Sequence, residues 1–260
     1  MTEIIFLGVG GAMAADPADN HTALVVRDGA ATFLLDCGPT IMRQMELSAV
    51  SAGELTHVFV SHQHGDHALG FPMLLLNRVL FWPDLPLIVM GTPLVIDVLQ
   101  RLAELAYPDL YQRIGETIDF VELDPEGGPS PVPGAGATQL LLAPGRHSVP
   151  SWGVRLSCAS GTSLVYSSDT GPSASIAWLA RGVDLLVHEA FYLEPPSGNR
   201  NGHSAAEEVG ALATEAGVGT LALVHRSVTG SQAAGLYVAQ AARLFGGRIL
   251  VPNAGDRITL

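Results

Sequence analysis

The chain has 260 residues, 48% of them hydrophobic and 15% charged, a composition that excludes a disordered polymer and gives enough length to bury a large core. Its formal net charge of −12 argues against a nucleic-acid surface, because phosphate recognition relies on clustered cations. All 13 basic residues are arginine, which reads as genome composition rather than function.

Strands are expected at Glu3–Leu7, Thr22–Arg27, Ala31–Leu35 and His57–Ser61, where β-branched and apolar residues run together. Asp36-Cys37-Gly38-Pro39 closes the third, and Thr40–Glu46 reads as a helix. An apolar, helix-like run over Leu69–Leu80 precedes a strand at Leu87–Gly91. Thr92-Pro93 then offers an N-cap with proline at the first helical position, and Val95–Tyr107 carries the helical pattern. Asp124–Ala137, rich in proline and glycine and without a basic residue, is expected to be a loop inside the domain. Strands resume at Thr138–Ala143, Gly153–Ser157 and Ser163–Ser167. Helices at Ala174–Arg181, Ala205–Ala216 and Gln232–Phe245 then alternate with strands at Leu185–His188, Thr220–Val224 and Arg248–Val251. The order β-rich, β/α, β-rich, β/α predicts an α/β fold, an αββα four-layer sandwich, in one domain over residues 1–260.

Cys37 and Cys158 lie far apart in strand-like segments, the pattern of free, buried thiols in a reducing compartment. The most apolar window, about 71–90, is broken by Pro72, Arg78, Pro83, Asp84 and Pro86, which argues against a membrane span. With no signal-like start, a soluble cytoplasmic protein is the expectation.

Residues 61–67 read Ser-His-Gln-His-Gly-Asp-His. His62, His64, Asp66 and His67 thus fall within six positions directly after a strand. A helix could not aim all four at one point, whereas a tight loop turning at Gly65 can. Three more candidates end strands: His147, between two of them, Asp169 in Ser168-Asp169-Thr170-Gly171, and His225 after Leu221–Val224. Singly, each has a bland reading as a satisfied strand-end histidine or an Asp-Thr-Gly turn. Together, five imidazoles and two carboxylates supply what two adjacent divalent metals need, and such nitrogen and oxygen donors favour zinc, with manganese or iron open.

These residues resemble the metallo-β-lactamase superfamily, in particular its ribonuclease Z-like branch. The His-x-His-x-Asp-His motif matches at His62, His64, Asp66 and His67, and later motifs match at His147, Asp169 and His225. The match extends to Asp36-Cys37-Gly38, His188-Glu189-Ala190-Phe191 and His203-Ser204-Ala205, in the family's order along nearly the whole chain. The resemblance implies that His62, His64 and His147 hold one metal, Asp66, His67 and His225 the other, and Asp169 bridges both. A flavodiiron-type oxidoreductase would carry glutamate in place of His64, which counts against redox di-iron chemistry. In this branch the residues matching Glu189 and His203 lie beside the metals and help move a proton to the leaving group. Their bland reading is a solvated loop carboxylate and a helix-start residue. His57 and His188 read as structural, and His21 as structural with reach to the site mouth.

The implied activity is a dinuclear metal-dependent hydrolase, foremost a phosphodiesterase acting on a small or cyclic phosphodiester through a metal-bridging hydroxide. Asp66 would take a proton from that nucleophile, and His203, oriented by Glu189, would act as general acid. Members that process tRNA carry a gripping arm between the residues matching His147 and Asp169. Here these are only 22 positions apart, filled by two strands and a turn, which counts against tRNA as substrate. A lactone or other ester hydrolase, an arylsulfatase, a tRNA 3′-processing endonuclease and a non-catalytic binding protein stay open as rivals. The apolar Leu69–Trp82 segment is either an ordinary core helix or the cover of a homodimer interface and the pocket wall.

Overall fold

Strand segments buried along nearly their whole length, and so apolar on both faces, dominate the first half of the chain. In the computed structural model, which describes residues 1–13, 16, 18–109, 113, 117–227 and 233–260, they form one sheet. Its strands are β1 (Thr2–Gly8), β2 (Ala23–Asp28), β3 (Ala31–Leu35), β4 (His57–Phe59), β5 (Leu87–Gly91), β6 (Ile118–Glu122) and the late β14 (Arg257–Thr259), in the order β14-β1-β2-β3-β4-β5-β6. The strands from β3 to β6 are parallel and the rest antiparallel. The second sheet repeats this plan with β7 (Ser130–Pro131), β8 (Gln139–Pro144), β9 (Trp152–Ser157), β10 (Ser163–Tyr166), β11 (Leu185–Glu189), β12 (Thr220–Val224) and β13 (Arg248–Leu250), in the order β13-β12-β11-β10-β9-β8-β7. Its parallel half runs from β10 to β13.

The period-2 geometry of a strand decides which face each residue covers. Ile4, Phe6, Leu24, Val26, Phe33 and Leu35 meet Leu164, Tyr166, Leu185, Val187, Ala222 and Val224 between the sheets. Their neighbours Ile5, Leu7, Val25, Leu34 and Val58 point outward. They pack on helices α1 (Ile41–Leu47), α3 (Phe71–Phe81) and α4 (Pro93–Ala106). On the far side Val165, Leu186, Leu221 and Leu223 pack on α5 (Ala174–Leu179), α6 (Ala206–Ala216) and α7 (Ala233–Ala241). The layers are therefore αββα, as the element order predicts.

Several local expectations change. Gly65–Ala68 is one helical turn, α2, where a loop was expected. The proline-rich 124–137 segment contains the two-residue strand β7, which pairs with β8 at the sheet edge, the position where proline's missing N–H costs no ladder bond. β6 and β14 are edge strands that sequence reading passes over, β14 because only Ile258 of its three residues is apolar. Thr92 takes the N-cap position with Pro93 behind it, but its side chain makes no capping hydrogen bond. Gln232, the expected start of the last helix, lies outside the described residues. No helix among the described residues is long and apolar enough to cross a membrane. Cys37 and Cys158 are both free and buried.

His57 ties the two sheets together. It is buried in β4, stacks on Phe33 at 4.6 Å and places Nε2 2.7 Å from the carbonyl of Pro133 in the β7–β8 turn. His62, His64, His67 and His225 follow the carboxyl ends of β4 and β12, and His147 lies in the turn between β8 and β9, the kind of position where parallel sheets place their chemistry.

Candidate metal centre

The rim is organised by a carboxylate, Asp36, whose role no local pattern announces. Asp36 follows β3 in the left-handed region, φ 64°. Its carboxylate accepts from Ser61 N at 2.8 Å, Ser61 Oγ at 2.9 Å and Tyr166 OH at 2.7 Å, and lies 2.7 Å from His67 Nδ1. Four contacts on one fully buried group peg the motif to the sheet. Two glycines let the backbones touch: a Cβ on Gly38 would lie 2.1 Å from the carbonyl oxygen of Asp66, and one on Gly70 would lie 2.0 Å from that of Gly38. Cys37 N then bonds His67 O, and Gly70 N bonds Cys37 O. His62 and His64 share a face of the chain leaving β4 because they are two apart, and α2 turns Asp66 and His67 in beside them.

All seven candidate ligands converge. Asp169 Oδ1 lies 3.4 Å from His67 Nε2 and 3.3 Å from His225 Nε2, and Asp66 Oδ2 lies 3.3 Å from each of the same two nitrogens. Asp169 Oδ2 faces the other way, 3.9 Å from His62 Nε2 and 3.8 Å from His147 Nε2, while His147 Nε2 is 3.0 Å from His64 Nδ1. The atoms form two sets, one of His62, His64, His147 and Asp169, the other of Asp66, His67, His225 and Asp169. Two ligands about 2.1 Å from a tetrahedral ion sit about 3.4 Å apart, which is the spacing found in the second set, while the distances in the first run from 3.0 to 3.9 Å.

Nε2 of His62 and of His67 and Oδ1 of Asp169 are buried without a hydrogen-bond partner. Orphaned polar atoms of this kind are costly unless something answers them, and a cation between them would. The electrostatics agree. Burial opposes charge on Asp66 and Asp169, yet His225 and His67 hold both carboxyls below the usual range. Burial keeps His62, His64 and His147 on the neutral, metal-binding side. For His67, burial works against a proton, but Asp169 and Asp36 raise it well above the ordinary imidazole range. A cation shared by these groups would satisfy the same field. The outer nitrogens of three of the histidines are held too, His62 Nδ1 3.0 Å from Ser61 Oγ, His147 Nδ1 3.0 Å from Gly202 O and His67 Nδ1 on Asp36, while that of His225 is buried without a partner.

Glu189 ends β11 and is 1% exposed. Thr170 N donates to its Oε1 at 3.0 Å, Phe191 N donates to its Oε2 at 2.9 Å, and His203 Nδ1 lies 2.8 Å from Oε1. Burial, then Asp169, pushes the Glu189 carboxyl up, and those two N–H groups work against the rise. His203 borders His147 and His225, at ring separations of 4.9 and 5.4 Å. His188 is buried apart from this group, its Nδ1 2.6 Å from Glu189 O and its pKa pushed down to about 4 by burial. His21 rests on Thr40, Nδ1 to Oγ1 3.1 Å, with Asp66 among the charges that act on it. Sequence reasoning missed Ser61, Tyr166 and the role of Asp36. The Asp-Cys-Gly strand end was the available signal, but nothing in it announces a partner 31 positions away.

A profile of the beta-lactamase superfamily domain matches residues 31–226. The ribonuclease Z of Mycobacterium tuberculosis is 31% identical over 275 aligned positions, which take in 99% of this chain and 98% of that protein. Among solved structures, the metallo-beta-lactamase fold protein YhfI from Bacillus subtilis superposes with a TM-score of 0.83 at 22% identity, covering 99% of this chain and 98% of the other. The short form of human tRNase Z gives 0.75 at 22% identity with the same coverage.

Proposed function

The chain belongs to the beta-lactamase superfamily and is a metal-dependent hydrolase, and from that premise we propose a dinuclear phosphodiesterase acting on small or cyclic phosphodiesters. The observation that carries this reading is Asp169, which turns one carboxylate oxygen to each of two donor sets. His62, His64 and His147 would hold one ion, Asp66, His67 and His225 the other, with Asp169 between them. Zinc suits these donors best, ahead of manganese or iron. Two such ions, when bound, acidify a water and neutralise charge on anionic substrate oxygens.

The chain's own groups then move the protons. Water oxygen forms the new P–O bond, and Asp66 accepts its proton. The P–O bond to the leaving group breaks, and the leaving oxygen takes a proton from His203 Nε2. With Nδ1 held on Glu189, Nε2 is the free nitrogen of that ring. Residues 1–260 would act as one hydrolase domain, and a homodimer would use the α3 face on which Met73, Leu80 and Phe81 are exposed.

A small substrate fits the net charge of −12 and the filling of residues 147–169 by β9, a turn and β10. A second reading, RNA 3′-end cleavage, is favoured by the ribonuclease Z relative. Its alignment of 275 positions leaves that protein little room for a long arm either, so a missing arm does not by itself remove tRNA. The relative therefore weighs against the sequence-based expectation that tRNA is an unlikely substrate.

Metal-loaded protein should hydrolyse bis(p-nitrophenyl) phosphate, and Asp66→Ala should abolish the turnover. Comparing a nucleoside 2′,3′-cyclic phosphate with a tRNA precursor then separates the two readings. Turnover of carboxyl or sulfate esters without any phosphodiester turnover would overturn both.

A further inference from the structure

The Glu189 carboxylate holds more than His203. Its Oε1 meets the His203 ring, while its Oε2 accepts the backbone N–H of Phe191. The Phe191 carbonyl is fixed from the other side, accepting from Ser227 N at 3.0 Å, from Ser227 Oγ and from Tyr237 OH at 3.3 Å. With both peptide groups tied, the backbone that carries the Phe191 ring is held in place. It lies on His203 with centroids 4.6 Å apart and planes 24° from parallel. It also lies 6.0 Å from His225, which is itself 5.4 Å from His203. The three separations close a triangle, so Phe191 borders both imidazoles.

One contact at Nδ1 leaves the His203 ring free to swing about that contact. A stacked aromatic face opposes that swing, since a ring turning off the face would lose the contact made at 4.6 Å. From this geometry we infer that Phe191 is a positioning residue for His203: its ring sets the plane in which Nε2 is presented to the leaving oxygen. The inference rests on the proposed role of His203 as acid. Proton delivery is sensitive to such placement, because a misplacement of about 1 Å can cost about 100-fold in rate. It also matters only where the leaving group needs a proton. An aryl oxide departs without one, and an alkoxide does not.

The test uses metal-loaded protein and two diesters, bis(p-nitrophenyl) phosphate and a nucleoside 2′,3′-cyclic phosphate or another alkyl diester that the protein turns over. Phe191→Leu keeps an apolar side chain and removes the ring. It should lower kcat on the alkyl diester by about 10- to 100-fold and leave the aryl diester within about twofold, with Phe191→Tyr restoring the alkyl rate. Equal losses on both diesters would mean that Phe191 acts on the metal ligand His225 or on folding, and would overturn the inference, as would no loss on either. His203→Ala is the companion. If it too fails to separate the diesters, the acid role fails and the inference falls with it. If His203→Ala separates them and Phe191→Leu does not, the inference alone fails. A crystal structure of Phe191→Leu gives a readout independent of turnover. The His203 ring should leave its plane, and an unchanged ring still 2.8 Å from Glu189 would overturn the proposal.

Discussion

The two sides of the metal centre are built by different means. On the motif side, residues 61–67 are locked by three polar contacts on one buried carboxylate, Asp36, which Tyr166 OH holds from the other sheet. On the other, His203 is part-exposed, touches Glu189 at one atom and is otherwise held by ring stacking. Groups that must hold a cation need desolvation and fixed spacing, and on the first side His62 and His67 each have the other ring nitrogen anchored, on Ser61 Oγ and on the Asp36 carboxylate. A group that hands over a proton must meet substrate and solvent, so its ring is held more lightly. The comparison can be broken by variants that exchange these properties.

The largest effect should come from Asp169→Ala, which removes an oxygen from both donor sets. We expect bound metal to fall from two ions towards none by elemental analysis, and activity to fall with it. Retention of two ions would refute the shared role of Asp169. His203→Ala should keep its metal, yet lose about 10²- to 10⁴-fold in rate on an alkyl leaving group, the usual range for a general acid. Loss of metal in that variant would erase the distinction between the two sides. Asp36→Asn should fall between the two in kind. The amide cannot accept from His67 and all of its other partners at once, so metal affinity should drop by about 10- to 100-fold, as for other carboxylates behind a metal histidine.

How far this could be read beforehand differs between the same two sides. The strand pattern fixed which faces meet, because Ile4, Phe6 and Leu24 alternate with Ile5, Leu7 and Val25 and a period of two permits only two faces. The cluster of His62, His64, Asp66 and His67 was legible since its members are adjacent, and the distant members His147, Asp169 and His225 by strand-end position and resemblance. Asp36, Tyr166 and Ser61 stayed hidden as partners. Their contacts depend on how β3, β4 and β10 come to face one another, and long-range packing leaves no local spacing to read. Phe191 was visible as part of a motif, but its stacking on His203 depends on the loop that brings Ala205 back beside Tyr192 in a parallel bridge. Edge strands β6, β7 and β14 were missed for a simpler reason, since residues that face water on one side need little apolar pattern.

The smallest effect is also the most local report on the lock. Cys37 sits inside it, with its backbone N–H on His67 O and its carbonyl on Gly70 N, and burial followed by the Asp36 charge raises its thiol. Cys158 lies outside the lock, beside Thr2 and Asp28, and burial pushes its thiol up to about 11. At pH 8 a thiol with that pKa is about one thousandth thiolate, so both cysteines should resist alkylation in the folded protein. Asp36→Asn should change only one of them. Loosening the contact between Asp36 and the motif loop opens the route to Cys37 and removes the charge that disfavours its thiolate, while Cys158 keeps its surroundings. Mass spectrometry after timed alkylation should therefore show Cys37 labelled first in that variant, with Cys158 unchanged from the parent protein. Equal acceleration at both sites would mean that Asp36 supports the whole sandwich. No acceleration at Cys37 would mean that the glycine-tight contacts of Gly38 and Gly70 hold the motif in place without it.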